Sequence, residues 1–272
     1  YIPFLLNHFV LFITLFSAVL GNAYMHRYQM VVGSENPEWR ATEDSGKIIE
    51  MDLAIELNDF TIDEYPPKLM LIDNHSGKTL PEKQPVTLLI EKAPTAGSLL
   101  DWDVSISNVL ENAAPVVGRD SVHFVEFHSE GAAAAVYVTA ANRKSGKQAA
   151  GWVSSGSFLF PYHALKLDEK VSMVMPDREP KRFASDVNVF TKDGKNIHSV
   201  IEVNKPLKLN GWKIYQISYD ERMGKWSNIS KFELVKDPWI GWVYAGIILM
   251  ISGAIGLFVT GKTAYENKGE ND

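Results

Sequence analysis

The chain has 272 residues, a formal net charge of -6 and no cysteine. That balance gives no basic footprint for nucleic acid. The missing cysteines exclude disulfides, thiolate metal sites, thiol nucleophiles and dithiol redox chemistry. With 46% hydrophobic and 22% charged residues there is material for one large domain or two small ones. The near-zero mean hydropathy hides membrane-like ends around a soluble-like middle.

Ile2 to Gly21 is apolar except for Asn7, His8, Thr14 and Ser17, and no charge precedes Arg27. About 20 apolar residues span a bilayer core, so residues 1-22 are predicted to form a transmembrane helix. A signal peptide is the rival reading, but it lacks a basic n-region and a clean small-residue cleavage site here. A buried soluble helix is the third. The sequence opens at Tyr1 inside this run, so residues are expected upstream.

Residues 23-238 read as β-rich. Ile49, Met51, Leu53, Ile55 and Leu57 alternate with Glu50, Asp52, Ala54 and Glu56, a period of two with one wet face. Leu100, Trp102, Val104 and Ile106 repeat the pattern. Further strands are predicted over 122–127, 135–141, 150–154, 171–175, 185–191, 197–203, 212–219 and 229–235. Lys144 to Lys147, Lys192 to Lys195 and Arg222 to Lys225 each carry a glycine suited to a hairpin turn. Pro66, Pro67, Pro81, Pro85 and Pro94 predict a long irregular region. The expected fold is a mainly β domain, with antiparallel sheets or a sandwich, flanked by two transmembrane helices.

The second span is predicted over 239-260, which carries no charge, with Trp239, Trp242 and Tyr244 at its start as an aromatic belt. Gly246, Gly253 and Gly256 form a small-residue stripe predicted to seat a partner helix. Two spans place the β domain on one side of the membrane and the tail 261-272 on the other. Lys262 and Lys268 against Glu266, Glu270 and Asp272 give little charge bias to orient it.

No catalytic constellation emerges. Ser154-Ser155-Gly156-Ser157 lacks the pattern of a nucleophile elbow, and Asp101, Asp103 and Glu126 fit the solvated faces of strands. His123 and His128 would point to opposite faces of a strand, a poor metal pair. His75 belongs to a loop, and His163 and His198 stand singly. His26 fits an interfacial anchor or a position lining a ligand site. Trp212, Tyr215, Tyr219 and Trp226 read first as packing, with an aromatic surface for a flat macrocycle as the alternative. His8 is the sharpest residue. An ionisable group in a span faces protein, a cavity or a ligand, and neutral imidazole is an axial ligand for haem iron. On spacing alone, helix–helix bonding or an interfacial position remain open for it.

Ser185-Asp186-Val187, Val203-Asn204-Lys205-Pro206-Leu207, Gly211-Trp212-Lys213-Ile214-Tyr215-Gln216 and Asp237-Pro238-Trp239 together resemble the ResB (CcsB) family of system II cytochrome c biogenesis proteins. Leu6-Asn7-His8, Trp39-Arg40-Ala41, Tyr65-Pro66-Pro67-Lys68-Leu69, Ala113-Ala114-Pro115 and Gly151-Trp152-Val153-Ser154 extend the resemblance over nearly the whole chain. It implies a subunit of a bacterial inner-membrane complex, with the β domain in the periplasm and the tail in the cytoplasm. The implied partner is a CcsA/ResC-type protein carrying the tryptophan-rich haem-binding segment that this sequence lacks. Together they would deliver b-type haem and attach it to apocytochrome c, with thioredoxin-like proteins reducing the client separately. His8 would be the haem ligand, no metal beyond haem iron is implied, and catalysis would sit on the partner. The alternative is a membrane-tethered β domain that docks a partner or client without binding haem.

Overall fold

The structure, a computed structural model, describes residues 2–34, 36–119 and 121–269. Helix α1 (Ile2–Tyr24) leads into β1 (His26–Gly33), β2 (Glu38–Glu43) and β3 (Ile48–Glu64). Ten strands follow: β4 (Lys68–Asp73), β5 (Thr79–Leu80), β6 (Thr87–Leu89), β7 (Thr95–Leu99), β8 (Trp102–Val117), β9 (Val122–Glu126), β10 (Ala133–Asn142), β11 (Gln148–Ser154), β12 (Leu165–Lys166) and β13 (Val171–Val174). The chain closes with β14 (Pro180–Thr191), β15 (Asn196–Glu202), β16 (Leu207–Leu209), β17 (Trp212–Tyr219), β18 (Ile229–Lys236) and helix α2 (Ile240–Gly269). The chain is mainly antiparallel β, as expected.

The chain divides into two compact units. The first comprises Tyr1–Glu56, Val187–Ile217 and Lys231–Asp272; the second comprises Leu57–Asp186 and Ser218–Ser230. The division falls within β3, β14, β17 and β18, so four strands carry residues of both.

All eight strands of one sheet, in the order β15-β14-β3-β2-β1-β18-β17-β16, have residues in the first unit. Laid flat, its outer strands would stand roughly 34 Å apart at about 4.8 Å per pairing. Yet β15 and β16 are joined by residues 203–206 alone, which reach about 17 Å when extended. The sheet therefore curls and hides one face. Alternate residues fill that face: Met30 and Val32 on β1, Leu53 and Ile55 on β3, Ile214 on β17, Phe232 and Leu234 on β18. Asn204 makes the joining turn with φ +67 and the Glu202–Lys205 bridge tightens it, so the Asn204-Lys205-Pro206-Leu207 motif is a structural turn.

The second unit is a sandwich. One sheet has the order β11-β10-β8-β7, with β9 added to β8; the other runs β12-β13-β4-β5, with β6 added to β4. Between them lie Leu69 and Leu71 from β4, Met173 from β13, and Val104, Ile106, Val136 and Val138 from β8 and β10. A register shift between β8 and β10 pairs Tyr137 with Asn108 but Val138 with Ile106. Ser107 is the extra residue of this bulge, beyond which Val109 still packs on the sandwich core, and a second shift pairs Ala135 with Leu110 but Ala133 with Ala113. Ala113, beyond that second shift, joins Phe124 and Ala135 in a separate cluster.

Two sequence expectations are corrected. The irregular region predicted from the prolines contains β4, β5 and β6, because Leu69 and Leu71 alternate between the proline positions and are fully buried. Arg222 to Lys225 is not a tight hairpin turn. Residues 220–228 form a wide connection with a 3-10 turn at Gly224–Trp226, closed where Ser227 Oγ accepts from the Asp220 amide at 3.0 Å.

The two helices lie where the apolar runs were read, and α2 continues to Gly269. Among the described residues no helix is long and apolar enough to cross a membrane. Described side chains run unbroken only over 8–24 in α1 and 240–256 in α2.

Candidate functional site

In the first unit the two helices pair. A Cβ on Gly21 would lie 3.5 Å from Asp237 Oδ1, and one on Gly246 would lie 2.1 Å from Thr14 Oγ1. Going back along α1 from Gly21 to Thr14 thus goes forward along α2, so the pair is antiparallel. Its seam is Val10, Thr14, Ser17 and Gly21 against Val243, Gly246, Met250 and Gly253, all buried or half-buried. Spacings of three and four place each set on one helix face. The helix that Gly246 meets is α1 of this same chain, while Gly253 is buried and Gly256 half-buried. Asp237 starts α2 by accepting from the amides of Trp239 at 2.9 Å and Ile240 at 3.1 Å. It is an N-cap, and Pro238 follows where a missing N–H is harmless.

His8 lies off that seam and is exposed. Its Nδ1 is 2.9 Å from the Phe4 carbonyl oxygen, and the two rings stand 4.2 Å apart. A carbonyl only accepts, so Nδ1 carries the hydrogen. In the neutral ring Nε2 then holds the lone pair. Phe12 and Leu15 share the exposed surface of α1. With Nδ1 held by a backbone carbonyl on an exposed helix face, Nε2 is the His8 nitrogen that could ligate a metal.

The second unit holds a cleft of about 600 Å³. Its walls come from the end of β3, the start of β10, the loop 155–162, residues 177–180 and the 219–226 connection. Ser157 builds the loop: its Oγ donates to the Gly131 carbonyl at 2.5 Å and accepts from the amides of Leu159 and Phe160 at 3.2 Å. Ser154 Oγ donates to the Ala134 carbonyl at 2.8 Å. These serines are loop fasteners, which agrees with the absence of a nucleophile signature. Trp226 donates its indole N–H to the Ala132 carbonyl at 3.3 Å.

Arg178 braces the cleft, with its side chain only 16% exposed. Its Nε donates to the Tyr65 carbonyl at 2.9 Å and its Nη1 to Glu111 at 2.6 Å, with Glu64 3.5 Å away. Burial nevertheless pushes the Glu64 carboxyl above its ordinary value, outweighing the attraction of Arg178 and Lys225. The folded state therefore holds that proton more tightly than the unfolded chain does. Stability falls as pH rises from the ordinary carboxylate value through the raised one. Glu64→Gln should raise the melting temperature at pH 7 by roughly 1–3 °C, a small effect because the group is only half screened from water. The gain should disappear below the ordinary carboxylate range. Equal melting curves at pH 7, or a gain that persists in acid, would contradict this account.

A family model, the ResB-like family, matches residues 119–227. That segment is similar to the ResB-like family. The match takes in the 155–162 loop and the 219–226 connection of the cleft, and the whole of β14 to β17. No curated protein matches the chain.

Other ResB-motif residues serve the fold. Glu38 accepts from the Arg40 guanidinium at 2.9 Å through both carboxylate oxygens and from the backbone amides of Trp39 and Arg40. These bonds, chiefly the Arg40 side chain, hold its pKa down at about 2. Trp212 packs on Tyr28 at 5.5 Å with the Lys236 ammonium 5.6 Å over it. Gln216, buried on β17, has neither amide atom bonded. The four aromatics read together from the sequence separate: Trp212 and Tyr215 belong to the first unit, Tyr219 and Trp226 to the second. His123 lies on β9, and His128 beyond it stands 3.6 Å from Glu126. His163, its pKa lowered by burial, packs near Phe124. Among the described residues no metal-holding cluster of His, Cys, Asp and Glu occurs. Sequence reasoning missed Glu64, Arg178 and Lys225.

Proposed function

We propose that this chain is a membrane subunit of a cytochrome c maturation complex, assisting delivery of haem and its attachment to apocytochrome c. The match of residues 119–227 to the ResB-like family carries this reading. In it, α1 and α2 span the inner membrane as an antiparallel pair, taking the full apolar runs of the sequence, which extend past the described side chains. The uncharged runs Ile2 to Gly21 and Trp239 to Thr260 each supply about 20 residues, the length that a bilayer core requires. The exposed apolar side chains off the seam, such as Leu5 at 72% and Ile248 at 63%, suit contact with lipid. The β units would lie in the periplasm and the C-terminal tail in the cytoplasm.

Haem is the cargo in this scheme. His8 is the residue that would hold it, through Nε2, with Phe4, Phe12 and Leu15 as apolar surroundings. A CcsA/ResC-type partner would share the cargo, and a thioredoxin-like reductant would act on the client rather than on this cysteine-free chain.

The test is the absorption spectrum and pyridine haemochrome content of the detergent-purified complex with a CcsA-like partner, wild type beside His8→Ala. The expected result is loss of most of the Soret band in the variant at equal complex yield. An unchanged band would remove haem from this chain and leave a docking domain. Deleting the chain should abolish covalent haem attachment, and normal holocytochrome c in the deletion strain would overturn the maturation role itself.

A further inference from the structure

We propose that the cleft of the second unit binds a basic peptide segment, one presenting lysine or arginine between apolar residues. This site is independent of the haem reading. Five aromatic rings line it: Phe158, Phe160, Tyr162, Tyr219 and Trp226. Phe158 and Tyr162 are exposed, and they project from a loop fixed by the Ser157 bonds. Such faces attract cations through their ring quadrupoles.

The charges on the walls point the same way. Glu64, Asp177 and Glu221 face Arg178, Arg222 and Lys225 across the lining. Two of those cations are engaged elsewhere, Arg178 partly with Glu111 outside the lining and Arg222 with Asp220 at 3.5 Å. Asp177 and Glu221 make no ion pair among the described residues. Asp177 and Glu221 are therefore the carboxylates of the lining left for a further cation, and they lie in the same cleft as Tyr219. The Tyr219 hydroxyl is harder to ionise than usual, first through burial and then through Glu221 and Glu64.

The chain supplies its own demonstration that the floor takes a cation. Lys225 holds its ammonium 5.2 Å over the Trp226 ring while donating to Asn112 Oδ1 at 3.2 Å. The size of the cleft selects the occupant. About 600 Å³ far exceeds a lone ammonium group, and the exposed Leu159 and Tyr162 continue the apolar surface along the rim. An extended peptide can place one cation between Asp177 and Glu221 and lay neighbouring apolar side chains on Phe158 and Tyr162.

The test uses the full chain in detergent and fluorescence anisotropy of labelled Leu-Lys-Phe-Lys-Leu. The controls are Leu-Glu-Phe-Glu-Leu and a peptide with norleucine at both lysine positions. The basic peptide should bind about tenfold or more tightly than either control, and less tightly as salt rises. Asp177→Asn with Glu221→Gln should weaken it about tenfold, as should Phe158→Ala with Tyr162→Ala. All four residues are exposed, so unchanged melting curves should accompany the losses. Equal binding of the three peptides, or full binding by both double variants, would overturn the proposal. So would displacement by tetramethylammonium at the peptide's own affinity, which would assign the cleft to small organic cations.

Discussion

Gly246→Leu is expected to separate the helix pair. The Cβ alone would stand 2.1 Å from Thr14 Oγ1 and 3.4 Å from the Thr14 Cα. The second contact is to backbone, so rotating the threonine does not make room for the rest of a leucine. Overpacking a close seam typically costs about 1–3 kcal/mol, and a branched side chain at the centre of a two-helix contact belongs at the upper end. The chain has no cysteine, so a reporter pair is clean. Ser17→Cys with Val243→Cys across the seam should crosslink readily in the wild-type background and poorly in Gly246→Leu. Ile248→Ala, on the exposed side, should leave crosslinking unchanged. Equal crosslinking in all three would show that the helices do not depend on this contact.

Gly156→Ala is expected to unbuild the 155–162 loop. Gly156 has φ +75, and a Cβ there would lie 2.5 Å from the Tyr162 amide nitrogen, 2.8 Å from the Phe160 carbonyl oxygen and 2.8 Å from the Pro161 carbonyl carbon. Two costs therefore add: roughly 1 kcal/mol for the left-handed conformation, and a backbone clash that no side-chain rotation relieves. Gly77→Ala separates them. Gly77 has φ +70 but nothing within 4 Å of its Cβ position, so it carries the conformational cost alone. By chemical denaturation Gly77→Ala should lose about 1 kcal/mol and Gly156→Ala about 3 kcal/mol or more. Binding of the basic peptide should fall only in the second. Equal losses would mean that the loop yields without strain.

The sequence shows β structure where one face is wet, and misses it where that contrast is absent. β3 and the first half of β8 announce themselves by alternation. β4 hides among prolines, because its brief Leu69 and Leu71 signal is easily read as part of a loop. The two register shifts of β8 are a different failure: a bulge leaves no residue signature, yet together they decide that Val109 meets the sandwich core and Ala113 another cluster. Both helices are legible from composition, and Asp237-Pro238 shows that the motif before α2 is a cap. The small-residue stripe is readable, but nothing in the sequence says that Gly246 meets Thr14, some 230 positions away. The cleft is harder still. Its charges look like ordinary wet strand faces, and only folding brings Glu64, Arg178 and Glu221 to one wall. His8 could be singled out by its chemistry, while the fixing of its ring by Phe4 required the helix.

The order of the large curled sheet bears on how the chain is made. β1, the earliest of the described strands, lies beside β18, the latest of them. Their pairing waits for roughly two hundred intervening residues, so this sheet has a high contact order and closes late. The sandwich core, in contrast, is complete once Met175 has emerged, and can collapse while the first strands are still waiting. Only the 219–226 wall of the cleft is missing then, and it arrives just before the second helix. A nascent chain thus passes through a stage with a formed sandwich, an open cleft and an unpaired first helix. Synthesis of the final segment completes the cleft, the curled sheet and the helix pair in close succession.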